Sequence, residues 1–296
     1  PRSPCHVTLR PRGPPCPELT PSVHLPPVAW RAMSTPHLIA LDIDGTTVNH
    51  EGALSPAVRD AVTAVADAGH HVTIATGRGI IGTLPILDRL GLTTGYAVCA
   101  NGAITLRLDP TSDAGYEVVE SVTFDPAPAL TALREHFPSA LVAVEELGVG
   151  FKVSAPFPDG ELDGIPEVVT FDELMSTPVT RVTLRDPSAT SEEFIERTAR
   201  IGLHGVEYAV GWSAWLDITP EGVSKGAALE VIRRWLAIEP QYTVAVGDQR
   251  NDFEMLRWAA RGVAMGNAPD EVKAVADEVT GDVDDDGLVD VLTSLL

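Results

Sequence analysis

Two aspartates stand at the end of a short, strongly apolar run. Residues 42–46 read Asp-Ile-Asp-Gly-Thr and follow Leu-Ile-Ala-Leu at 38–41, a run that predicts a buried strand of a parallel sheet. Ligands bind outside the carboxyl ends of such strands, and Gly45 lets the chain turn so that both carboxylates can face one cleft. One carboxylate could then attack or bind a cation while the other moves a proton. These residue types also favour ordinary turns, so the choice depends on partners further along the chain.

The residues after this motif predict a βαβ unit. Ser55-Pro56 fits a helix N-cap followed by proline at the first helical position, and an apolar stripe continues a helix over 55–68. The β-branched stretch 71–76 predicts the next strand, parallel to strand 38–43 through a right-handed crossover. A helix over 80–90 and a strand over 96–100 follow, and the strand ends at Asn101-Gly102.

The same alternation returns in the last third of the chain. It predicts a helix over 226–237, a strand over 242–246, a helix over 251–260 and short strands at 262–265 and 278–280 around a helix from Pro269. We therefore expect an α/β fold with a doubly wound, Rossmann-like parallel-sheet core, formed by residues 34–105 and 214–296.

The segment between these two parts has its own elements. Residues 106–213 contain candidate strands and helices in number sufficient for an independent α+β domain; the strands are 141–144, 150–154, 179–184 and 207–210, and the helices are 127–136 and 190–202. The stretch from Asp44 to Ser55 has room only for a hairpin. Any lid over the aspartates must therefore come from this inserted cap domain.

Residues 1–33 differ in composition from the rest, being rich in proline and arginine without apolar periodicity, which predicts disorder. Met33 begins a short lead into the first strand. Residues 1–32 are thus either an upstream extension with a misplaced start or a genuine flexible tail, and both readings stay open.

Composition narrows the classes of function. The chain of 296 residues is 44% apolar, which permits a substantial core. It has neither an apolar stretch of the ~20 residues that a membrane span needs nor the apolar centre of a secretory signal, so we expect a soluble, cytoplasmic protein, as a monomer or weak homodimer. The net charge of −21 disfavours nucleic acid as a partner. A small anionic ligand would need a local cluster of cations, amides or a metal ion.

Further polar residues fall at predicted strand ends: Thr76-Gly77-Arg78, Lys225 in "GVSKGAAL", and Asp248 with Asn251-Asp252 in "GDQRND". With the aspartate pair they resemble the haloacid dehalogenase superfamily of phosphotransferases, over about residues 37–105 and 214–290. The ending "GVAMGNAPDEVKAVADEVT" is similar to its Cof-type sugar-phosphatase branch, which carries an α/β cap where this chain has its insertion.

The resemblance implies a role for each motif. Asp42 would be the nucleophile that forms an aspartyl-phosphate, and Asp44 the acid and base that protonates the leaving group and then activates water. A carboxylate attacks a phosphoryl group only where negative charge is neutralised, which Mg²⁺ does; the implied ligands are Asp42, Asp248 and the main-chain carbonyl of Asp44. Asp252 would orient these ligands, although an acidic residue at a helix start also offsets the helix dipole.

The implied contacts to phosphate come from the main chain and from small polar groups. Thr76 offers a hydroxyl, Gly77 an unhindered amide and Lys225 a compact positive charge, with Ile43 and Asn251 completing the set. Each is ordinary in isolation, since threonine at a strand end is commonly structural and lysine at a helix start is commonly solvated.

The substrate side is less determined by the sequence. Asn101, Lys152 and Arg181 are the candidates, together with Arg185 and the Trp212/Trp215 pair. Charged residues on cap strands are commonly solvated and tryptophans commonly belong to a core, and Asn-Gly is also an ordinary turn.

The leading hypothesis is a Mg²⁺-dependent phosphatase of small phosphate esters, with sugar phosphates favoured over nucleotides, flavin mononucleotide, pyridoxal phosphate or phosphoglycerates. A phosphomutase is also compatible, because it too proceeds through an aspartyl-phosphate. The alternative from another class is a catalytically silent protein that binds a phosphate ligand. Such a protein would lack a key carboxylate or lysine, whereas all of them are present here.

Overall fold

The computed structural model describes residues 35–187, 189–199, 201, 206–210 and 214–296. The expected tail at 1–33 and Trp212 lie outside the described residues. Strands are Leu38–Leu41 (β1), His71–Ala75 (β2), Gly95–Cys99 (β3), Ile104–Leu108 (β4), Tyr116–Ser121 (β5), Leu141–Glu146 (β6), Gly150–Val153 (β7), Glu167–Val168 (β8), Arg181–Arg185 (β9), Val206–Val210 (β10), Trp215–Pro220 (β11), Thr243–Gly247 (β12), Arg261–Ala264 (β13) and Glu278–Val279 (β14). Helices are Pro56–Asp67 (α1), Ile80–Leu90 (α2), Ala127–His136 (α3), Phe171–Leu174 (α4), Ser191–Ala199 (α5), Lys225–Trp235 (α6), Phe253–Trp258 (α7), Asp270–Lys273 (α8) and Gly287–Thr293 (α9).

Among the described residues these strands form two sheets. The core sheet has the order β14-β13-β12-β1-β2-β3-β4-β5. Its strands from β14 to β3 are parallel, and β4 and β5 extend it as antiparallel strands. Strand β1 is buried along its whole length between β2 and β12, because helices cover both faces of a doubly wound sheet. The predicted fold class is thereby confirmed.

The βαβ unit forms as the sequence predicted. Ser55 caps α1 by accepting the amide of Ala57 at 3.1 Å, Pro56 takes the first helical position, and Val58 and Val62 are among the buried residues of its apolar face. Helix α2 ends at Gly91, whose φ of 72° places it in the left-handed region where glycine is favoured.

The cap sheet has the order β10-β11-β9-β6-β7-β8 and is antiparallel except between β7 and β8. Its core is separate from that of the first sheet: Leu130 and Leu133 of α3 and Phe194 of α5 pack against Val182 and Leu184 of β9. Each sheet packs against apolar clusters of its own, which explains how one chain builds two layers of different topology.

The chain changes sheet at positions that differ from the expected limits of 105/106 and 213/214. Asn101 and Gly102 both have positive φ and turn the chain back, so that Cys99 pairs with Ile104 and strands β4 and β5 remain in the core sheet. At the other end, Trp215–Pro220 pairs with β9 and therefore belongs to the cap sheet. The chain returns to the core only at α6.

No described helix is long and apolar enough to cross a membrane.

His37, His70 and His71 lie at the amino-terminal ends of β1 and β2, at the opposite end of these strands from the aspartate motif. The backbone amide of His37 donates to His70 Nδ1 at 3.0 Å, and His70 Nε2 lies 3.2 Å from the carbonyl of Leu295. Burial and the neighbouring His70 lower the pKa of His37, and the same two causes lower the pKa of His71. The fold therefore favours the neutral form of both rings.

This cluster predicts a loss of stability in mild acid. Because the folded-state pKa of His37 and His71 is lowered, their contribution is present above the unfolded pKa of about 6.5 and is lost as pH falls below it. We expect urea midpoints to fall between pH 7.5 and 5.5, and His37→Gln to reduce that fall. The exposed His50 provides the control, His50→Gln; an equal fall in all three proteins would contradict the assignment.

Candidate active site

The polar motifs converge at the carboxyl ends of the central strands of the core sheet. Asp42 follows β1, Thr76 follows β2, Asp248 follows β12, and Lys225 opens α6. Parallel strands end at a common edge, so segments about 180 residues apart in the chain meet there.

Lys225 is the central cation of this cluster. Its Nζ lies 2.8 Å from Asp42 Oδ1 and 2.7 Å from Asp252 Oδ1, and all three residues are buried. Burial alone would lower the pKa of Lys225, but the charges of Asp252 and Asp42 outweigh it and raise the pKa. Burial and the charge of Asp252 raise the pKa of Asp42 to about 7, against the lowering effect of Lys225.

Asp252 is fully engaged within the protein. Its Oδ2 accepts the backbone amides of Asp248 at 2.9 Å and Gln249 at 2.8 Å, while its Oδ1 accepts Lys225. A Cβ on Gly247 would overlap this carboxylate, which explains the glycine at the end of β12. Asp252 therefore fixes the loop that presents Asp248; its expected role in orienting metal ligands stays a prediction.

Asp248 is buried beside the turn of the first motif. Thr46 Oγ1 donates to its Oδ1 at 3.0 Å, and Gly45, with φ of 79°, has no room for a Cβ because the Asp248 carboxylate occupies that space. Burial and the charges of Asp42 and Asp252 raise the pKa of Asp248 to about 9. Burial, together with more negative charge than Lys225 neutralises, accounts for the raised pKa values of Asp42 and Asp248.

This donor set fits a hard divalent cation. Carboxylate oxygens of Asp42, Asp248 and Asp252 lie within 4.8 Å of one another, and oxygen ligands of this kind suit Mg²⁺. Asp252 already accepts three hydrogen bonds from the protein. The carboxylates of Asp42 and Asp248 are therefore the candidates to hold an ion. The Asp44 side chain turns away to Arg78, so Asp44 could join this set through its main-chain carbonyl.

Asp44 and Arg78 form a bidentate ion pair. Arg78 Nε lies 2.8 Å from Asp44 Oδ2 and its Nη2 lies 2.5 Å from Oδ1. Hydrogen bonding to Asp44 raises the pKa of Arg78. The sequence placed Arg78 in a motif without giving it a role, although its position directly after Thr76-Gly77 was the available signal.

The groups predicted to contact phosphate line the adjoining edge of the site. Thr76 is buried and its Oγ1 accepts the amide of Arg78 at 3.1 Å. Asn251 Nδ2 donates to Asn101 Oδ1 at 2.9 Å, whereas the buried Asn251 Oδ1 has no partner among the described residues. The side chain of Ile43 is wholly buried, so Ile43 can serve a ligand only through its main chain.

Arg181 reaches from the cap sheet to the core. Its Nε lies 3.0 Å from Glu145 Oε2, its Nη1 lies 3.6 Å from Asp217 Oδ2, and Nη1 also donates to the carbonyl of Gly77. Asp217 in turn accepts Thr183 Oγ1 at 2.7 Å. Arg181 is thus paired within the protein and braces the Gly77 loop.

Lys152 does not reach the site. Its Nζ pairs with Glu146 Oε1 at 2.6 Å, and its neighbour Phe151 lines the cavity instead, because successive residues of a strand face opposite sides. Arg185 pairs with Glu161 at 3.1 Å, and Trp215 Nε1 donates to Asp217 Oδ1 at 3.1 Å.

A cavity of about 230 Å³ lies between the two sheets over the aspartate pair. Its walls combine the predicted motifs with residues of the cap: they are Asp42, Asp44, Thr76, Gly77, Arg78, Phe151, Glu161, Leu162, Asp163, Arg181, Trp215, Asp217, Gln249, Arg250 and Asn251. The cap residues Asp163 and Asp217 had no signal in the sequence, since only the folded chain brings them to the motifs.

The fold and this site define a hydrolase that has a doubly wound α/β core and a buried aspartate–lysine centre under a cap. The family model for haloacid dehalogenase-like hydrolases matches residues 39–292, and the chain belongs to that family. It is 30% identical over 287 residues to pyridoxal phosphate phosphatase YbhA of Escherichia coli (88% of this chain, 99% of YbhA). It is 28% identical to 5-amino-6-(5-phospho-D-ribitylamino)uracil phosphatase YitU of Bacillus subtilis (86% and 95%).

Solved structures of phosphatases from the same superfamily have a similar fold. The subclass IIB sugar phosphatase BT4131 superposes with a TM-score of 0.75 at 28% identity, covering 88% of this chain and 100% of that one. BT1666 of Bacteroides thetaiotaomicron gives 0.73 at 28% identity, covering 93% and 99%. The predicted family and the prediction of an enzyme are confirmed: the chain is a phosphatase of the haloacid dehalogenase type, acting on phosphorylated small molecules.

The buried cation predicts a large loss of stability for Lys225→Met. The variant leaves Asp42 and Asp252 facing each other without compensation, so we expect the free energy of unfolding to fall by about 3–5 kcal/mol in chelator. Urea denaturation measures it, with Lys152→Met as the matched control outside the site. Adding Asp252→Asn should recover part of the loss; a Lys225→Met variant as stable as the control would contradict this account.

Proposed function

We propose that this phosphatase is Mg²⁺-dependent and hydrolyses small phosphorylated metabolites, sugar phosphates foremost, through an aspartyl-phosphate on Asp42. The observation that carries the proposal is the pairing of Lys225 with one oxygen of Asp42 beside a cavity that Asp44 also lines. Since Lys225 holds Oδ1, the other oxygen, Oδ2, is left to attack phosphorus.

The two chemical half-reactions follow from these groups. Asp42 Oδ2 forms the bond to phosphorus while the bond to the ester oxygen breaks, and protonated Asp44 gives its proton to the departing alkoxide. Asp44 then takes a proton from water, which attacks phosphorus and releases phosphate from Asp42. Thr76 and the amide of Gly77 are placed to hold the transferring phosphoryl oxygens.

A Mg²⁺ ion held by Asp42, Asp248 and the Asp44 carbonyl would supply charge neutralisation between nucleophile and phosphate. The protein itself supplies Lys225 for the same purpose. Arg78 pairs with the Asp44 side chain, and an incoming phosphate dianion would compete for that guanidinium and release the Asp44 carboxyl for proton transfer.

The favoured substrate class rests on the polar cavity and on the relatives. YbhA and YitU are named for esters with polar leaving groups, and BT4131 is described as a sugar phosphatase. A catalytically silent binding protein is disfavoured, because Asp42, Lys225 and Asp248 are present and assembled.

A phosphomutase remains the closest alternative, and the products separate the two activities. The chain would be incubated with a hexose monophosphate. We expect free phosphate to accumulate, whereas an isomeric hexose phosphate without phosphate release would show a mutase.

Asp42→Asn should abolish turnover and leave the fold intact, because the amide cannot form the acyl-phosphate. We expect kcat with p-nitrophenyl phosphate to fall roughly 10³-fold or more, with an unchanged circular dichroism spectrum. Asp67→Asn, at an exposed position of α1, is the control. Phosphate release by Asp42→Asn at the wild-type rate would refute the assignment of the nucleophile.

Removal of divalent cations should abolish activity, and Mg²⁺ should restore it, because the donors are all oxygen. Thermal unfolding adds a second readout: Mg²⁺ should raise the Tm of the wild type and raise that of Asp248→Asn less. Restoration of activity by Zn²⁺ alone, with no response to Mg²⁺, would argue against the proposed ion.

A further inference from the structure

We infer that Asp163 recognises hydrogen-bond donors on the leaving group of the substrate, which makes it a specificity-determining residue. This inference rests on the proposed phosphatase function. Asp163 lies on the cap, in the connection between β7 and β8, and lines the same cavity as Asp42 and Asp44. Because Asp163 comes from the cap and the phosphate-binding motifs come from the core, a phosphate ester bound at those motifs would present its leaving group to the cap side of this cavity.

The other acidic residues of this cavity are occupied. Asp42 pairs with Lys225, Asp44 with Arg78, Glu161 with Arg185, and Asp217 accepts Thr183. No described residue donates a hydrogen bond to the Asp163 carboxylate. Arg78 and Arg181 act on it electrostatically, while burial, the larger influence, raises its pKa.

The first turn of α2 is shaped to receive Asp163. A Cβ built on Gly82 would overlap Asp163 Oδ2, so glycine at this helical position lets the carboxylate lie against the helix. Glycine inside a helix is less favourable than alanine. The space that Gly82 leaves holds an acceptor at the cavity wall.

A half-buried acceptor without a donor selects a class of ester. Hydroxyl or ammonium groups on the leaving group donate hydrogen bonds to the carboxylate. An alkyl ester displaces water from the carboxylate and supplies no donor to replace it. Asp163 therefore favours polyhydroxylated or amine-bearing phosphate monoesters over apolar ones of equal size.

The test compares two esters that differ in their hydroxyl groups, ribose 5-phosphate and n-pentyl phosphate, in the Mg²⁺-loaded full chain. We expect wild type to prefer ribose 5-phosphate, and Asp163→Asn to reduce the ratio of the two kcat/KM values about 10-fold or more. Asp159→Asn, at an exposed site of the same connection, should leave the ratio unchanged.

Gly82→Ala provides a second variant, which displaces the carboxylate without altering it and should reduce the ratio in the same direction. Equal losses on both esters in Asp163→Asn, or an unchanged ratio, would overturn the inference, because Asp163 would then only hold the loop. Hydrolysis of p-nitrophenyl phosphate by wild type with no preference for ribose 5-phosphate would overturn it as well. Failure of wild type to release phosphate from any of the three esters would instead overturn the proposed function.

Discussion

A single buried ammonium group holds together the parts of this site that come from distant segments. Lys225 joins the end of β1 to the loop after β12 through Asp42 and Asp252. Burying an ion pair costs desolvation that is recovered only when the geometry is good and the remaining lone pairs are satisfied. Asp252 meets this condition by accepting two backbone amides, whereas Asp42 Oδ2 accepts no hydrogen bond from a described residue and Asp248 Oδ2 accepts only long ones, at 3.3 Å from Gln249 and 3.4 Å from Asn267.

That imbalance connects stability to chemistry. Three carboxylates lie beside one ammonium, and burial together with their mutual repulsion raises the pKa of Asp42 and Asp248 well above the usual range. A protein that needed only a stable core would replace such groups by apolar ones. Retaining them leaves the site short of positive charge, as the proposed binding of a divalent cation requires.

Local sequence signals were sufficient to predict those elements whose structure depends on neighbouring residues, such as a helix cap and a buried strand. Ser55 caps α1 as its residue type predicts, and the apolar run before Asp42 forms a buried strand. Local signals could not predict where the cap begins. The hairpin of β4 and β5 extends the core sheet, but in sequence it resembles the first strands of an insertion. Asp163 and Asp217 likewise lie near the motifs only after two sheets have folded against each other. Lys152 was misplaced because strand alternation turns it away from the cavity that Phe151 faces.

The link between the two sheets explains how the cap can influence chemistry that it does not perform. Arg181 is buried with Glu145 and donates to the carbonyl of Gly77, in the loop that we propose binds the phosphoryl oxygens. Asn101, beside the same loop, donates from Nδ2 to Asp217 Oδ2 of the cap sheet at 3.4 Å. The two cap strands that carry Arg181 and Asp217 are hydrogen-bonded neighbours. A shift of this strand pair would therefore move the cap wall of the cavity and the Gly77 loop together, so that the position of the cap and the geometry of the proposed phosphate site are not independent.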